Sequence, residues 1–180
     1  MSRTTVRAAT ATWFGGRAQP TRPTMYRDSA VQFMGTLWTA PPRSINDDDF
    51  WPGSGVVSGA VCTVHLVHSK ERRRALGGGG VDGIAPGGEK QIDYTIYLEI
   101  EFHSRQQRTE AAMADFDTFL DSLVTRTRLD RTWGTGGRKF DTISTAGEEI
   151  DISPGEPDVK DNRFYVRVDM VTTATELVIS

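Results

Sequence analysis

The residues Tyr94-Thr95-Ile96-Tyr97-Leu98-Glu99-Ile100-Glu101-Phe102-His103 alternate without a break. Tyr94, Ile96, Leu98, Ile100 and Phe102 fall on one side. Thr95, Tyr97, Glu99, Glu101 and His103 fall on the other, so the period-2 pattern predicts a strand with one core face and one wet face. The alternation ends at Ser104, and Ser104 with Gln107 fits a capping box, which places a helix start there. Beyond it Met113, Phe116, Leu120, Leu123 and Thr127, joined by Phe119 and Val124, recur at spacings of three and four and form the apolar stripe of an amphipathic helix. Strand and stripe are each half of a core, and they are expected to pack together.

Working outward, residues 58–69 form a second strand pattern, with Ala60, Cys62, Val64 and Leu66 on one face and Val61, Thr63, His65 and Val67 on the other. Both faces are fairly apolar, as in an interior strand. Between these two strands lies a segment (70–91) with four bases and one acid over 70–74 and seven glycines from Gly77 to Gly88. An antiparallel hairpin with a long tip is the economical connection. Residues 163–171 alternate Phe164, Val166, Val168 and Met170 against Tyr165, Arg167 and Asp169, which predicts a closing strand, and 172–180 extends it or joins a neighbour's sheet edge. A weaker strand is expected over 140–146 and a surface loop over 153–161, where Pro154 and Pro157 sit among acids. In the first 57 residues the expectation is a short helix over 2–13, an extended linker broken by Gly15, Gly16, Pro20 and Pro23, a strand over 30–39, and an aromatic-bearing loop over 41–55.

These elements add up to an α+β domain spanning 1–180: a mostly antiparallel sheet of five or six strands, one long helix on one face, and an irregular extension over 1–57. At 180 residues one domain is the expected count. No run approaches the roughly 18 apolar residues of a membrane helix. The N-terminal residues do not resemble a secretory signal, and the reading is of a cytoplasmic chain. Cys62 is the only cysteine, which excludes an intramolecular disulfide or a multi-cysteine zinc site. The net charge of −3 is too small to draw the whole molecule to nucleic acid, but its distribution is uneven, with six acids and one base over 147–161.

No catalytic set emerges. Gly78, Gly80 and Gly83 match G-x-G-x-x-G formally, yet Pro86 and more glycines follow where a helix N-terminus is required. On strict alternation His68 lies on the Cys62 face and His65 on the opposite one, so the two converge only if a bulge intervenes. Asp47, Asp48 and Asp49 lack the alternate spacing of a calcium loop. Cys62 is expected to face the core, where a thiol is inert. Glu99 and Glu101 share a wet face with nothing evident to separate their pKa values. The expectation is a non-enzyme with no cofactor and no metal site. Arg72, Arg73 and Arg74 are the best nucleic-acid candidate, without a recognition fingerprint around them.

In the order and texture of its elements, 92–152 resembles the tail terminator (head-to-tail joining) proteins of long-tailed siphophages. The resemblance rests on Tyr97-Leu98-Glu99-Ile100-Glu101-Phe102-His103-Ser104, Asp121-Ser122-Leu123-Val124, Arg128-Leu129-Asp130-Arg131 and Thr145-Ala146-Gly147-Glu148, followed by the closing strand. Residues 1–57 and the 77–88 loop depart from it. The resemblance implies a virion protein, assembled in the host cytoplasm, that forms a hexameric ring on the head-proximal end of the tail tube. Its partners would be further copies of itself, the tube protein and the head connector or stopper protein, with DNA passing through the channel without specific binding. Another neck component, such as a head-completion or stopper protein, is the alternative, and a nucleic-acid-binding module a further one. On that reading Lys70, Arg72, Arg73 and Arg74 are expected to meet a neighbour's Glu148, Glu149 and Asp151, and Glu99 and Glu101 to line the channel.

Overall fold

The computed structural model describes residues 3–73, 89–130, 132–134, 140–141 and 150–179. Helix α1 spans Arg3–Gly15 and is followed by strands β1 (Arg17–Gln19), β2 (Arg22–Arg27) and β3 (Met34–Trp38), then by the single-turn helix α2 (Asp47–Phe50). The long strands β4 (Ser58–Arg73) and β5 (Glu89–Ser104) precede helix α3 (Thr109–Leu129). Strands β6 (Phe140–Asp141), β7 (Asp151–Pro154) and β8 (Asp158–Lys160) lead to β9 (Arg163–Ile179). The strands form one nine-stranded sheet in the order β1-β2-β3-β4-β5-β9-β6, with β7 and β8 also paired to β9. Among the described residues only the β3–β4 pairing is parallel, so the α+β, mostly antiparallel reading holds at that level.

The sheet is larger than the expected five or six strands because β1 and β2 form within the first 57 residues and β7 and β8 form between 151 and 160. Gly16 takes φ +85° and its N–H closes on the Thr12 carbonyl at 3.1 Å, ending α1. The chain then turns at Pro20 and Thr21 into a β1–β2 hairpin where a linker was expected. Val6, Ala11 and Phe14 of α1 are buried with Tyr26 and Leu37, so this region builds core. The 41–55 segment likewise contains α2, whose Asn46 and Asp49 cap one another; the Asn46 N–H donates to the Asp49 carboxylate at 2.8 Å.

The β4–β5 pairing and the closing strand form where the alternation predicts, with a register shift in β4 between Leu66 and His68. Tyr94, Ile96, Leu98, Ile100 and Phe102 are all at most 3% exposed. They face the α3 stripe of Ala112, Phe116, Phe119 and Leu123, and Phe102 meets the rings of Phe33, Phe116, Phe119 and Phe164. The helix does not start at Ser104. That residue stays in the sheet, its hydroxyl 2.8 Å from that of Ser58, and it accepts from the Gln106 N–H at 3.1 Å in a local turn. Ser58 and Gln106 both donate to Asp115, at 2.5 and 3.0 Å, and so tie α3 to the sheet end.

Residues 172–179 continue β9 and pair with β5 out to Glu89 and Ile179. The 153–161 region contains β7 and β8 in place of a loop. With β6 they run along one edge of β9 as an interrupted strand, and the Gly155 N–H bridges to the Arg167 carbonyl at 2.7 Å. Of the strand expected over 140–146, Phe140 and Asp141 pair with β9; 142–146 lies outside the described residues, as does the 77–88 loop.

Candidate functional site

Both long helices pack on the face of the sheet that carries Ile96, Leu98 and Ile100. On the opposite face α2 covers one end, where Phe50 packs with Met25, Trp38 and Val61. Among the described residues the rest of that face carries no helix. Strand register fixes what it displays, because partners in antiparallel strands point the same way. Thr63, Glu99, Asp169 and Ser153 form one row, and His65, Tyr97, Val171 and Asp151 form the next.

Across these rows runs a connected polar network. The Tyr97 hydroxyl donates to Asp169 at 2.6 Å, and Arg167 lies 2.9 Å from Glu99 and 3.3 Å from Asp169. Arg167 also donates to the Tyr97 hydroxyl at 3.4 Å. Those hydrogen bonds and the Glu99 charge hold the guanidinium well above its ordinary pKa. His65 Nε2 sits 3.3 Å from Glu99 without hydrogen-bond alignment. Glu101 is half-buried, and burial together with the neighbouring Glu99 raises its carboxyl pKa against the pull of Arg167. The two glutamates that look alike in sequence are therefore unlike: Glu99 is ion-paired and Glu101 is partly desolvated.

At the α2 end an aromatic column crosses the sheet. Phe50 stacks on His103 at 3.9 Å and 14°, and His103 meets Tyr165 edge-on at 5.0 Å. Burial and the nearby Arg163 charge depress the His103 pKa to about 4, against an opposing effect of Asp47, so the ring is neutral at pH 7. Asp47 accepts from both Arg105 and Arg163, and Arg105 also lies 4.1 Å above the Trp51 ring. Burial disfavours the Asp47 carboxylate, but the Arg163 bond and the two guanidinium charges outweigh it and lower its pKa. Beside the column lies a cavity of about 770 Å³, lined by Glu101, His103, Asp158, Lys160, Arg163 and Tyr165 among others.

Of the expected interface residues, the described ones, Lys70, Arg72 and Asp151, lie on β4 and β7. Arg72 is already 3.2 Å from Asp93 of its own chain, and Lys70 pairs in register with Asp93. Asp151 is exposed on β7, on the other side of β9. Arg74, Glu148 and Glu149, and the side chain of Arg73, lie outside the described residues. The histidine reading needs correction. The register shifts between Leu66 and His68, so Val67 is a bulged residue, and His65 and His68 pair with Tyr97 and Thr95 on one face. Among the described residues no three His, Cys, Asp or Glu side chains are grouped to hold a metal ion. Cys62 is buried, and burial pushes its thiol far up. Arg167 and Asp169 were visible as the outward positions of the closing strand, but their partners depend on register, which alternation alone does not supply. No family model matches the chain, and no curated protein matches it either.

Proposed function

We propose that this chain is a structural component of a long-tailed phage particle, a tail terminator whose copies form a ring that caps the tail tube and meets the head connector. The observation that carries the reading is the sheet's division into a helix-covered face and a polar face held in fixed order by Arg167, Glu99, Tyr97 and Asp169. The resemblance of 92–152 supplies the family. Midway along the polar face Glu99, Glu101, Asp169 and Asp151 cluster about Arg167, while Lys70, Arg72 and Arg163 lie toward its ends. Turned toward a channel, such a surface repels DNA phosphates and lets the genome pass. Nothing in this role requires a transformed substrate, a cofactor or specific nucleic-acid binding.

The test is electron microscopy of purified chain mixed with tail tubes assembled from the tube protein. Rings bound at one end of each tube, with tube growth stopped, support the proposal. Binding to the portal side with no affinity for tubes would reassign the chain to another neck position.

A further inference from the structure

Residues 1–46 hold six arginines and a single acid, Asp28, a net of +5; the chain total of −3 leaves −8 for the remainder. The fold makes this imbalance directional. Arg17 and Arg22 lie exposed on the β1–β2 hairpin, which is one edge of the sheet, and Arg3 is exposed on the adjoining helix α1. Neither Arg17 nor Arg22 has a carboxylate within ion-pair distance among the described residues. The opposite edge is built from β7 and β8, where Asp151, Glu156, Asp158 and Asp161 are all exposed and Lys160 is the one base from 150 to 162. Six inter-strand steps separate the edges, roughly 30 Å at the usual strand spacing. That is several times the roughly 8 Å screening length at physiological salt, so neither edge neutralises the other within one molecule.

We infer that the arginine edge at β1–β2 docks on the acidic β7–β8 edge of a second copy of this chain. The contact is heterologous: each copy offers both halves, and successive copies are related by one rotation that closes a ring or propagates. Both edges present short strands of three or four residues, so the charges meet without a long strand having to be paired. This inference rests on the self-assembling part of the reading above and assigns its subunit contact to different residues from those the local charge runs suggested.

The experiment measures native mass by light scattering for three proteins: the wild-type chain, Arg17→Glu/Arg22→Glu, and Glu156→Arg/Asp158→Arg. The wild type is expected to associate and to weaken as sodium chloride rises, and each variant alone to associate at least tenfold more weakly. An equimolar mixture of the variants is expected to recover assembly, because the reversed edges are again complementary; recovery also shows that both variants fold. A monomeric wild type, or variants that assemble as the wild type does, would overturn the inference. So would an arginine variant that loses retention of a DNA duplex while its native mass is unchanged, which would mark the edge as a phosphate-binding surface. If wild-type rings cap tubes and the variants still assemble, the edge contact fails while the tail reading stands. If the mixing result holds but tubes are ignored, the contact stands and the tail reading fails.

Discussion

Arg163, the first residue of β9, donates to the Asp47 carboxylate at 2.5 Å and so joins the start of the closing strand to α2, 116 residues earlier in the chain. Arg105, one residue past β5, reaches the same carboxylate. One acid thus fastens three segments at the end of the sheet. Because all three side chains are about 40% exposed, the pairing is screened. Asp47→Ala is expected to cost about 1 kcal/mol, with a positive coupling to Arg163→Ala in a double-mutant cycle followed by urea unfolding. Zero coupling would show that the pairing is only geometric.

His103 gives the fold an acid-side weakness. Its folded pKa is about 4 against an ordinary 6.5, so between these values the unfolded chain binds a proton that the folded chain refuses. Its contribution is complete above about pH 6.5 and is lost as the pH falls toward about 4, amounting to at most about 3 kcal/mol. His103→Phe keeps a ring between Phe50 and Tyr165 and is expected to remove this part of the pH dependence, measured as urea midpoints at pH 7 and pH 4.5.

Glu101 acts in the opposite sense. Its folded pKa is raised, so it favours the fold while protonated and withdraws that support as the pH rises through the folded value. Glu101→Gln is therefore expected to stabilise the chain at pH 7 and to have little effect near pH 4. Thermal melts at the two pH values measure the difference. The same variant, in contrast to any change at Glu99, leaves the Arg167–Glu99 ion pair intact and so separates this charge from that pairing.

The seat of α2 depends on two glycines. A Cβ on Gly59 would stand 1.9 Å from the Phe50 carbonyl oxygen, and one on Gly35 would stand 2.2 Å from it, so the α2 backbone rests where side chains would otherwise be. Gly59→Ala is expected to destabilise by about 1–3 kcal/mol, the usual range for overpacking. It should also lift Phe50 off His103, which the His103 imidazole NMR shifts would report.

Alternation carried most of the central sheet. It assigned the buried row from Tyr94 to Phe102 and the closing strand correctly because each has one fully buried face, and a one-residue slip there would expose five large side chains. It failed at Ser104, where a serine suited to capping a helix instead bonds Ser58 across the sheet, a contact 46 residues away that no local pattern encodes. It failed again at Val67, since a bulge reverses the parity of every later residue and brought His68 round to the face of His65. The expected strand over 30–39 appears as β3, but β1 and β2 were hidden because they are short and Gly15, Gly16, Pro20 and Pro23 read as linker, although Pro20 in fact makes the β1–β2 turn. The candidate site was half legible: Glu99 and Glu101 were visible, while their unequal fates came from the burial of Glu101 and from Arg167, which pairs with Glu99 from a strand 68 residues further on.

The strand pieces β6, β7 and β8 lie end to end along β9, and Pro154 and Pro157 fall where β7 gives way to β8. A continuous border of that length would offer open amides to any passing chain and seed fibres. Notched in this way, its described pieces offer only short runs of unpaired backbone to extend, so any recruitment along them would be governed by side-chain charge and would answer to salt.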